Sequence, residues 1–200
     1  MWRQLPQTRA IEVRVTVLGM GEMGRAVAAR LASQGYQVRG WRLGAVDETT
    51  DDGGLLHADD SRIRVELGRE SLTPLLAKTD ILINLLPLTS RTRGIIDREF
   101  LFALPPGAAL VNLARGGHLV EADLIDALNK DQISHAVLDV FTTEPLPIGH
   151  DFWHHPRVTI LPHAAALTNP DTAAMVVSRQ LRKWQSGQPV AHQVERSRGY

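Results

Sequence analysis

Short apolar runs alternate with segments of mixed polarity along most of the 200-residue chain. A run of about four to eight apolar, often β-branched residues suits a strand that is buried on both faces of a parallel sheet. The strongest such run is DILINLL, at residues 80–86, which stops at Pro87. The same pattern predicts strands at residues 13–18, 36–41, 63–67, 80–86, 108–113, 134–140 and 158–161.

Apolar residues at helical spacing predict helices between and after these strands. The predicted helices cover residues 25–33, 71–78, 91–104, 121–129 and 170–186. Gly35 follows the first helix as a C′ residue, and Ser71 is the predicted N-cap of the second, whose first turn tolerates Pro74. Residues 43–62 are polar and rich in Asp and Glu. They predict a long exposed loop.

Strands that alternate with helices are typical of a doubly wound parallel sheet. The predicted fold class is therefore α/β, with one doubly wound domain over residues 9–168 and a C-terminal helix and tail over residues 169–200. A chain of this length buries about 70% of the surface that it exposes when unfolded, so a core of ordinary size is sufficient for folding.

The first predicted strand runs directly into a glycine motif, Gly19-Met20-Gly21-Glu22-Met23-Gly24, which precedes the first helix. In this strand–turn–helix context, Gly19 would allow a tight turn, Gly21 a close approach to a pyrophosphate, and Gly24 close packing of helix on strand. The helix N-terminus would offer N–H groups to the phosphates, so the domain at residues 9–168 is predicted to be a Rossmann-type dinucleotide-binding domain. The alternative is a glycine-rich turn that binds no ligand.

Four polar residues follow the ends of predicted strands. They are Arg115, Asp139, Glu144 and His163. Ligands of such sheets bind beyond the carboxyl ends of the strands, so the topology should bring these side chains to the edge where the glycine motif opens. Each of them alone could be a surface ion pair or a cap. Four at one edge favour a catalytic site.

The composition limits the classes of partner. With 22 basic and 22 acidic residues the formal net charge is zero, which does not indicate a nucleic-acid-binding surface. The chain has no cysteine, which excludes disulfides and cysteine nucleophiles. No apolar run approaches ~20 residues, and the N-terminal sequence lacks the core of a signal peptide. We expect a cytoplasmic protein with no membrane or nucleic-acid partner.

Histidines and tryptophans near the C-terminal end suggest other sites. The histidines are His150, His154, His155 and His163. Residues 151–156 are typical of a surface turn before a strand, so we predict no metal site there. Trp153 and Trp184 are predicted to pack in the protein rather than to bind a ligand.

Three blocks of sequence give the chain a more specific resemblance. They are LARGG at residues 113–117, LDVFTTEPLP at residues 138–147 and LPHAAA at residues 161–166. Together they resemble the signature blocks of the D-isomer-specific 2-hydroxyacid dehydrogenases. Residues 83–87 and 194–200 add a similarity to the glyoxylate/hydroxypyruvate reductase A branch of that family. The resemblance extends over essentially the whole chain.

The resemblance implies roles that agree with the chemistry of the side chains. Arg115 would bind the carboxylate and carbonyl of a small 2-oxo acid through its forked guanidinium. His163 would protonate the carbonyl oxygen as hydride arrives from the nicotinamide. Glu144 would orient His163 and keep it protonated. Asp139 would hold the nicotinamide carboxamide.

The resemblance also implies the residues that contact the cofactor. Besides Asp139 and Thr89, they are Gly19, Gly21, Glu22, Met23, Gly24, Trp41, Arg42, Leu86, Pro87, Thr92, Leu113 and Ala114. Arg42 stands at the end of the second strand, where NAD-binding proteins usually carry an acidic residue for the ribose hydroxyls. An arginine there suits a 2′-phosphate, so NADP is favoured over NAD. The acidic residues of 47–60 would oppose a phosphate, and NAD stays an alternative.

Members of this family usually carry an N-terminal substrate domain before the dinucleotide domain. Here the first strand begins by Val13, and residues 1–8 resemble the linker between the two domains. Two functions are therefore expected as alternatives: a reductase of glyoxylate, hydroxypyruvate or a similar 2-oxo acid, or a dinucleotide-binding module with little catalysis. The resemblance also implies a homodimer.

Overall fold

The computed structural model describes residues 7–44, 55–58 and 61–191. It divides into two compact units, Met1–Pro162 and His163–Tyr200. The first unit contains the sheet and its helices, and the second contains one long helix. The two units are described separately below.

The first unit is built on one eight-stranded sheet with the order β3-β4-β2-β1-β5-β6-β7-β8. All neighbouring strands are parallel except β3, which pairs antiparallel with β4 at the edge. The strands are β1 Arg14–Leu18, β2 Gln37–Arg42, β3 Leu55–Ala58, β4 Ser61–Leu67, β5 Ile81–Asn84, β6 Ala108–Asn112, β7 Ile133–Leu138 and β8 Val158–Ile160. The predicted parallel α/β fold is confirmed.

Helices connect the parallel strands of the first unit. They are α1 Glu22–Ser33, α2 Leu72–Leu76, α3 Arg98–Ala103 and α4 Glu121–Asn129. Neighbouring residues of one strand belong to different hydrophobic clusters: Leu18 lies in the larger cluster and Val17 in the smaller. Successive side chains of a strand point to opposite faces, so the sheet has a core on each face, as a doubly wound fold requires.

The predicted helix over residues 91–104 is wrong in its first half, because α3 begins only at Arg98. Gly94 has a φ of 63°, a left-handed conformation that a right-handed helix does not continue through. The Asp97 side chain then accepts a hydrogen bond of 2.9 Å from the Phe100 N–H and caps α3. The apolar residues before it at helical spacing, Ile95 and Ile96, lie in extended or turn backbone.

The predicted loop over residues 43–62 is partly wrong. Leu55–Ala58 forms β3, and β4 begins at Ser61, two residues before the predicted strand. The two strands pair through Leu56 and Ile63. Two adjacent leucines among acidic residues are too short a run to indicate a strand, so the pairing could not be predicted. The acidic residues of this segment lie outside the described residues.

The second predicted helix is also shorter than expected. A 3₁₀ turn at Arg69–Ser71 precedes α2, which ends at Leu76. Ser71 occupies the N-cap position, as predicted, but its hydroxyl donates to the Gly68 carbonyl at 2.9 Å instead of accepting from the helix. The remaining predicted elements, including the first helix, differ from the structure only at their ends.

The second unit contains α5, Pro170–Gln185. Its N-cap, Asn169, accepts hydrogen bonds from the N–H groups of Asp171 and Thr172, both at 3.0 Å. Trp184 is 69% exposed, and Trp153 of the first unit is 48% exposed, so the expectation that both would pack in the protein is wrong. Throughout the described ranges, the helices are too short or too polar to cross a membrane.

Candidate functional site

The first strand along the chain, β1, ends in a sharp turn at Gly19. We name residues 19–24 the glycine turn. The φ of Gly19 is 91°, and a Cβ atom there would lie 2.5 Å from the Leu85 carbonyl oxygen, at the end of the neighbouring strand β5. The Gly19 N–H donates to the Trp41 carbonyl at 2.9 Å. Only glycine fits this position, because it combines a left-handed conformation with close contact to backbone.

The glycines that follow have different surroundings. A Cβ on Gly24 would lie 1.9 Å from the Gly19 carbonyl oxygen, so α1 packs directly on the turn. Gly21 has no atom within 4 Å of the position where its Cβ would be. Gly21 is the N-cap of α1 and has no side chain to pair with the first N–H groups of the helix. The turn therefore has the open space and unpaired donors that a pyrophosphate requires.

Glu22 and Met23 are exposed in the first turn of α1, where Met23 is 50% exposed. Trp41 is fully buried, and its indole N–H donates to the Gly68 carbonyl at 2.9 Å. The hydrogen bond between Trp41 and the glycine turn is made by the Trp41 backbone carbonyl. Arg42 is half-buried, and its carbonyl accepts from the Gly68 N–H at 3.0 Å. Arg42, the residue predicted to bind a 2′-phosphate, is thus the last residue of β2, the strand whose Trp41 carbonyl accepts from Gly19.

The ends of the central strands lie in register. Leu18 pairs with Asn84, Asn84 with Asn112, and Asn112 with Leu138. The residues that follow these strands therefore meet at one edge of the sheet. They include the glycine turn, the turn at residues 85–92, the turn at residues 113–118, and Asp139.

We name the turn at residues 85–92 the cofactor turn. The Leu86 N–H donates to Asn84 Oδ1 at 3.2 Å, which fixes the start of the turn. Thr92 closes it, because its hydroxyl donates to the Pro87 carbonyl at 2.7 Å and accepts from the Thr89 N–H at 2.9 Å. Thr92 is 2% exposed and Leu86 is 5% exposed. The side chains of Thr92 and Leu86, both predicted to contact the cofactor, are therefore buried inside the turn.

We name the turn at residues 113–118 the arginine turn. The Ala114 N–H donates to Asn112 Oδ1 at 3.3 Å, and Asn112 Nδ2 donates to the Arg115 carbonyl at 3.3 Å. Leu113 is half-buried and Ala114 is buried. The Arg115 side chain is exposed, and its guanidinium donates to the Ala114 carbonyl at 2.6 Å. An arginine has five N–H donors in a fork, so its exposed guanidinium has the chemistry to bind a carboxylate.

The arginine turn is packed against the segment after β7. A Cβ on Gly116 would lie 1.9 Å from the Phe141 carbonyl carbon, so only glycine allows this approach. Asp139 is 2% exposed, and its N–H donates to the Asn112 carbonyl at 3.0 Å. The Glu144 carboxylate accepts from the Phe141 N–H at 2.9 Å. The structure therefore brings Arg115, Asp139 and Glu144 to the same end of the sheet.

His163 is the first residue of the second unit and is exposed. Its φ of 53° places it in the left-handed region, which few residues other than glycine adopt. Such backbone often occurs at functional positions, where surrounding structure holds it. The predicted proton donor thus has an unusual local conformation.

Three buried polar residues at the site escaped sequence analysis. Asn84, Asn112 and His118 have no exposed surface. Burial lowers the pKa of His118, and the nearby charges of Arg115 and Arg93 act in the same direction, against hydrogen bonds to the Pro87 and Arg115 carbonyls that raise it. The sequence feature that could have indicated the two asparagines is their position at the end of an apolar strand, because a buried polar side chain there needs a hydrogen-bond partner.

His150, which follows β7, has both ring nitrogens in contact with neighbouring residues. His150 Nε2 lies 3.4 Å from a Glu121 carboxylate oxygen, and His150 Nδ1 accepts from the Phe152 N–H at 3.3 Å. Within residues 7–44, 55–58 and 61–191, no group of three or more histidine or acidic side chains is arranged to hold a metal ion.

Residues 1–165 match the NAD-binding domain of the D-isomer-specific 2-hydroxyacid dehydrogenases. The chain is also 40% identical over 200 residues to glyoxylate/hydroxypyruvate reductase A of Salmonella typhimurium. That alignment covers all of this chain and 60% of the relative. The chain thus spans about 60% of the length of the curated relatives that it matches.

Two solved structures are similar to the whole chain. A D-isomer-specific 2-hydroxyacid dehydrogenase from Xanthobacter autotrophicus Py2, in complex with NADPH and MES, is 39% identical with a TM-score of 0.89, and the chain covers 77% of it. An NADPH-dependent glyoxylate/hydroxypyruvate reductase from Sinorhizobium meliloti, in complex with NADP and sulfate, is 34% identical with a TM-score of 0.86 and is covered to 60%. Since the domain match alone extends over residues 1–165, the chain belongs to the D-isomer-specific 2-hydroxyacid dehydrogenase family.

Proposed function

We propose that the chain binds NADPH and reduces a small 2-oxo acid, of the glyoxylate or hydroxypyruvate type, to the 2-hydroxy acid. The observation that carries the proposal is the meeting of two features at one edge of the sheet. The glycine turn after β1 leaves open space at Gly21, and the arginine turn after β6, two strands away at the same end of the sheet, presents the exposed Arg115. The first feature suits a dinucleotide and the second a carboxylate.

The preference for NADP over NAD rests on Arg42. A guanidinium at the end of β2 pairs with a 2′-phosphate, whereas the ribose hydroxyls of NAD are usually bound by a carboxylate at this position. The relatives support the same choice, because the similar enzymes from X. autotrophicus and S. meliloti were crystallised with NADPH or NADP. The nicotinamide, when bound, supplies the hydride.

The residues of the chain would supply substrate binding and the proton. Arg115 holds the substrate carboxylate through its forked guanidinium, and the carbonyl carbon then receives the hydride. His163 gives a proton to the carbonyl oxygen, which completes the alcohol. Glu144 is the residue that we propose to orient His163. Asp139 holds the carboxamide of the nicotinamide.

A dinucleotide-binding module with little or no turnover is the second candidate. The observation that favours it is that the family match over residues 1–165 is to the NAD-binding domain. This module would share the glycine turn and Arg42 with the reductase but would not use His163. We also propose a homodimer, which the resemblance implies, and a cytoplasmic location.

An NADPH-oxidation assay with glyoxylate and hydroxypyruvate separates the two candidates. We expect turnover by the full chain and a loss of about 10²–10⁴-fold in kcat for His163→Ala, with the NADPH dissociation constant unchanged. NADPH binding without turnover, identical in the wild type and in His163→Ala, would instead identify the module. Light scattering at micromolar concentration tests the dimer, and a monomer alone would contradict it.

A further inference from the structure

His118 lies between two backbone carbonyls that belong to different turns of the candidate site. Its Nδ1 atom is 3.1 Å from the Arg115 carbonyl oxygen, and its Nε2 atom is 3.2 Å from the Pro87 carbonyl oxygen. The first carbonyl belongs to the arginine turn and the second to the cofactor turn. His118 is therefore a side chain that contacts both turns at once, and it is completely buried.

Each of these carbonyls has a further donor. The Pro87 carbonyl accepts from the Thr92 hydroxyl at 2.7 Å, and the Arg115 carbonyl accepts from Asn112 Nδ2 at 3.3 Å. Asn112 in turn accepts from Asn84 Nδ2 at 3.0 Å. His118 thus lies against a buried hydrogen-bonded network that begins at the ends of β5 and β6 and extends into both turns. Such networks fix the positions of the groups they join.

The protonation state of His118 decides how firmly it joins the two carbonyls. A neutral imidazole has one N–H and can donate to only one of them, whereas an imidazolium could donate to both. Burial disfavours the charged ring, and the nearby positive charges of Arg115 and Arg93 disfavour it further. A neutral His118 therefore donates to one turn at a time, and the choice of tautomer links the two turns.

We propose that His118 is a positioning residue, which sets the arginine turn relative to the cofactor turn because its ring lies against both the Arg115 and Pro87 carbonyls and donates its one N–H to one or the other. This inference rests on the proposed function, because the two turns matter together only if one holds the dinucleotide and the other a carboxylate. A small shift between them would separate the hydride donor from the carbonyl carbon, and hydride transfer depends steeply on that geometry.

Three substitutions separate the contact of His118 with the Arg115 carbonyl from its contact with the Pro87 carbonyl. The side-chain amide N–H of Asn occupies the place of the histidine Nδ1, so His118→Asn keeps a donor for Arg115. The longer side chain of Gln brings its amide toward the place of Nε2, so His118→Gln keeps a donor for Pro87. His118→Leu fills the volume and keeps neither donor. His154→Gln, at an exposed histidine, is the control.

The first readout needs no ligand and compares backbone amide signals in ¹H–¹⁵N spectra. We expect His118→Asn to shift mainly the signals of residues 86–92, and His118→Gln mainly those of residues 113–117. His118→Leu should shift both sets and His154→Gln neither. Equal shifts of both turns in the Asn and Gln variants would overturn the proposal, because a packing role would not distinguish the two nitrogens. Failure of all three variants to fold would also overturn it.

The second readout uses ligands. We expect His118→Asn to weaken NADPH binding by about three- to tenfold, and His118→Gln to raise the KM for glyoxylate by a similar factor, because each variant leaves one carbonyl without the donor that one histidine tautomer supplies. His118→Leu should show both effects. The inference would be contradicted if NADPH affinity and the KM for glyoxylate changed together in each variant, in proportion to the loss in melting temperature. If the wild type does not bind NADPH or turn over, the proposed function fails, while the amide spectra still decide the role of His118.

Discussion

Asn84 and Asn112 share a hydrogen bond of 3.0 Å at the ends of neighbouring strands, and both side chains are fully buried. Asn84 Oδ1 also accepts from the Leu86 N–H, and Asn112 Oδ1 accepts from the Ala114 N–H. The two side chains thus accept hydrogen bonds from backbone N–H groups just after β5 and β6 end, where the two turns begin. Backbone N–H groups that would otherwise be buried without partners are satisfied by these side chains.

Asn112→Ala should therefore destabilise the protein by about 2 kcal/mol, because it leaves buried donors on Asn84 and Ala114 without an acceptor. Urea unfolding measures this loss. Asn129→Ala, at the exposed end of α4, is the matched control and should change the free energy of unfolding by less than about 0.5 kcal/mol. If both variants were equally stable, the buried pair would not be a determinant of the fold.

Two glycines of the same motif should respond differently to alanine. At Gly21 the added Cβ meets nothing within 4 Å, so Gly21→Ala should fold with a loss of at most about 1 kcal/mol, the cost of alanine at an N-cap. Its methyl group would occupy the space of the pyrophosphate, so we expect NADPH affinity to fall by at least about tenfold. Titration calorimetry and thermal unfolding measure the two effects.

Gly24→Ala should affect folding as well. Its Cβ would lie 1.9 Å from the Gly19 carbonyl oxygen, so either α1 or the turn must move, at a cost of about 1–3 kcal/mol. We expect a lower melting temperature together with weaker NADPH binding. A Gly24→Ala variant as stable as Gly21→Ala would show that the helix is not held against the turn as the structure has it.

The sequence predicted the parts of the fold that depend on apolar periodicity. The run at residues 80–86 became β5, and the Gly19–Gly24 motif became a turn between β1 and α1, because strand burial and turn geometry are local properties. The register of the strand ends followed from the alternation of strands and helices, which brought Arg115 and Asp139 to one edge.

The network below the site could not be predicted in the same way. A polar residue at a strand end has no periodic signal, and the partner of His118, Pro87, is 31 residues away in sequence. The start of α3 was missed for a related reason: Ile95 and Ile96 have helical spacing, but Gly94 and the cap at Asp97 decide where the helix begins. The helical spacing of apolar residues was therefore a weaker determinant of the helix start than the backbone conformation of Gly94 and the cap at Asp97.

The lowered pKa of His118 makes stability depend on pH in a predictable direction. The unfolded chain has an ordinary histidine pKa of about 6.5, so between that value and the lower folded-state pKa the unfolded chain binds more protons. The stability is therefore fully present above about pH 6.5 and decreases as the pH falls through the folded-state pKa. Urea unfolding of the wild type and of His118→Gln at several pH values isolates this contribution, and parallel curves would contradict it.

Arg42 should determine the choice between the two dinucleotides. Arg42→Ala removes a cation from the end of β2, and a charge-assisted hydrogen bond to a phosphate is worth about 1.5–3 kcal/mol, so the NADPH dissociation constant should rise by about ten- to a hundredfold. The NADH dissociation constant should change little, because NADH lacks the 2′-phosphate. Calorimetric titration with both dinucleotides measures the ratio, and Arg30→Ala, in the last turn of α1, controls for the loss of a positive charge. An unchanged preference for NADPH in Arg42→Ala would move the phosphate site away from this strand end.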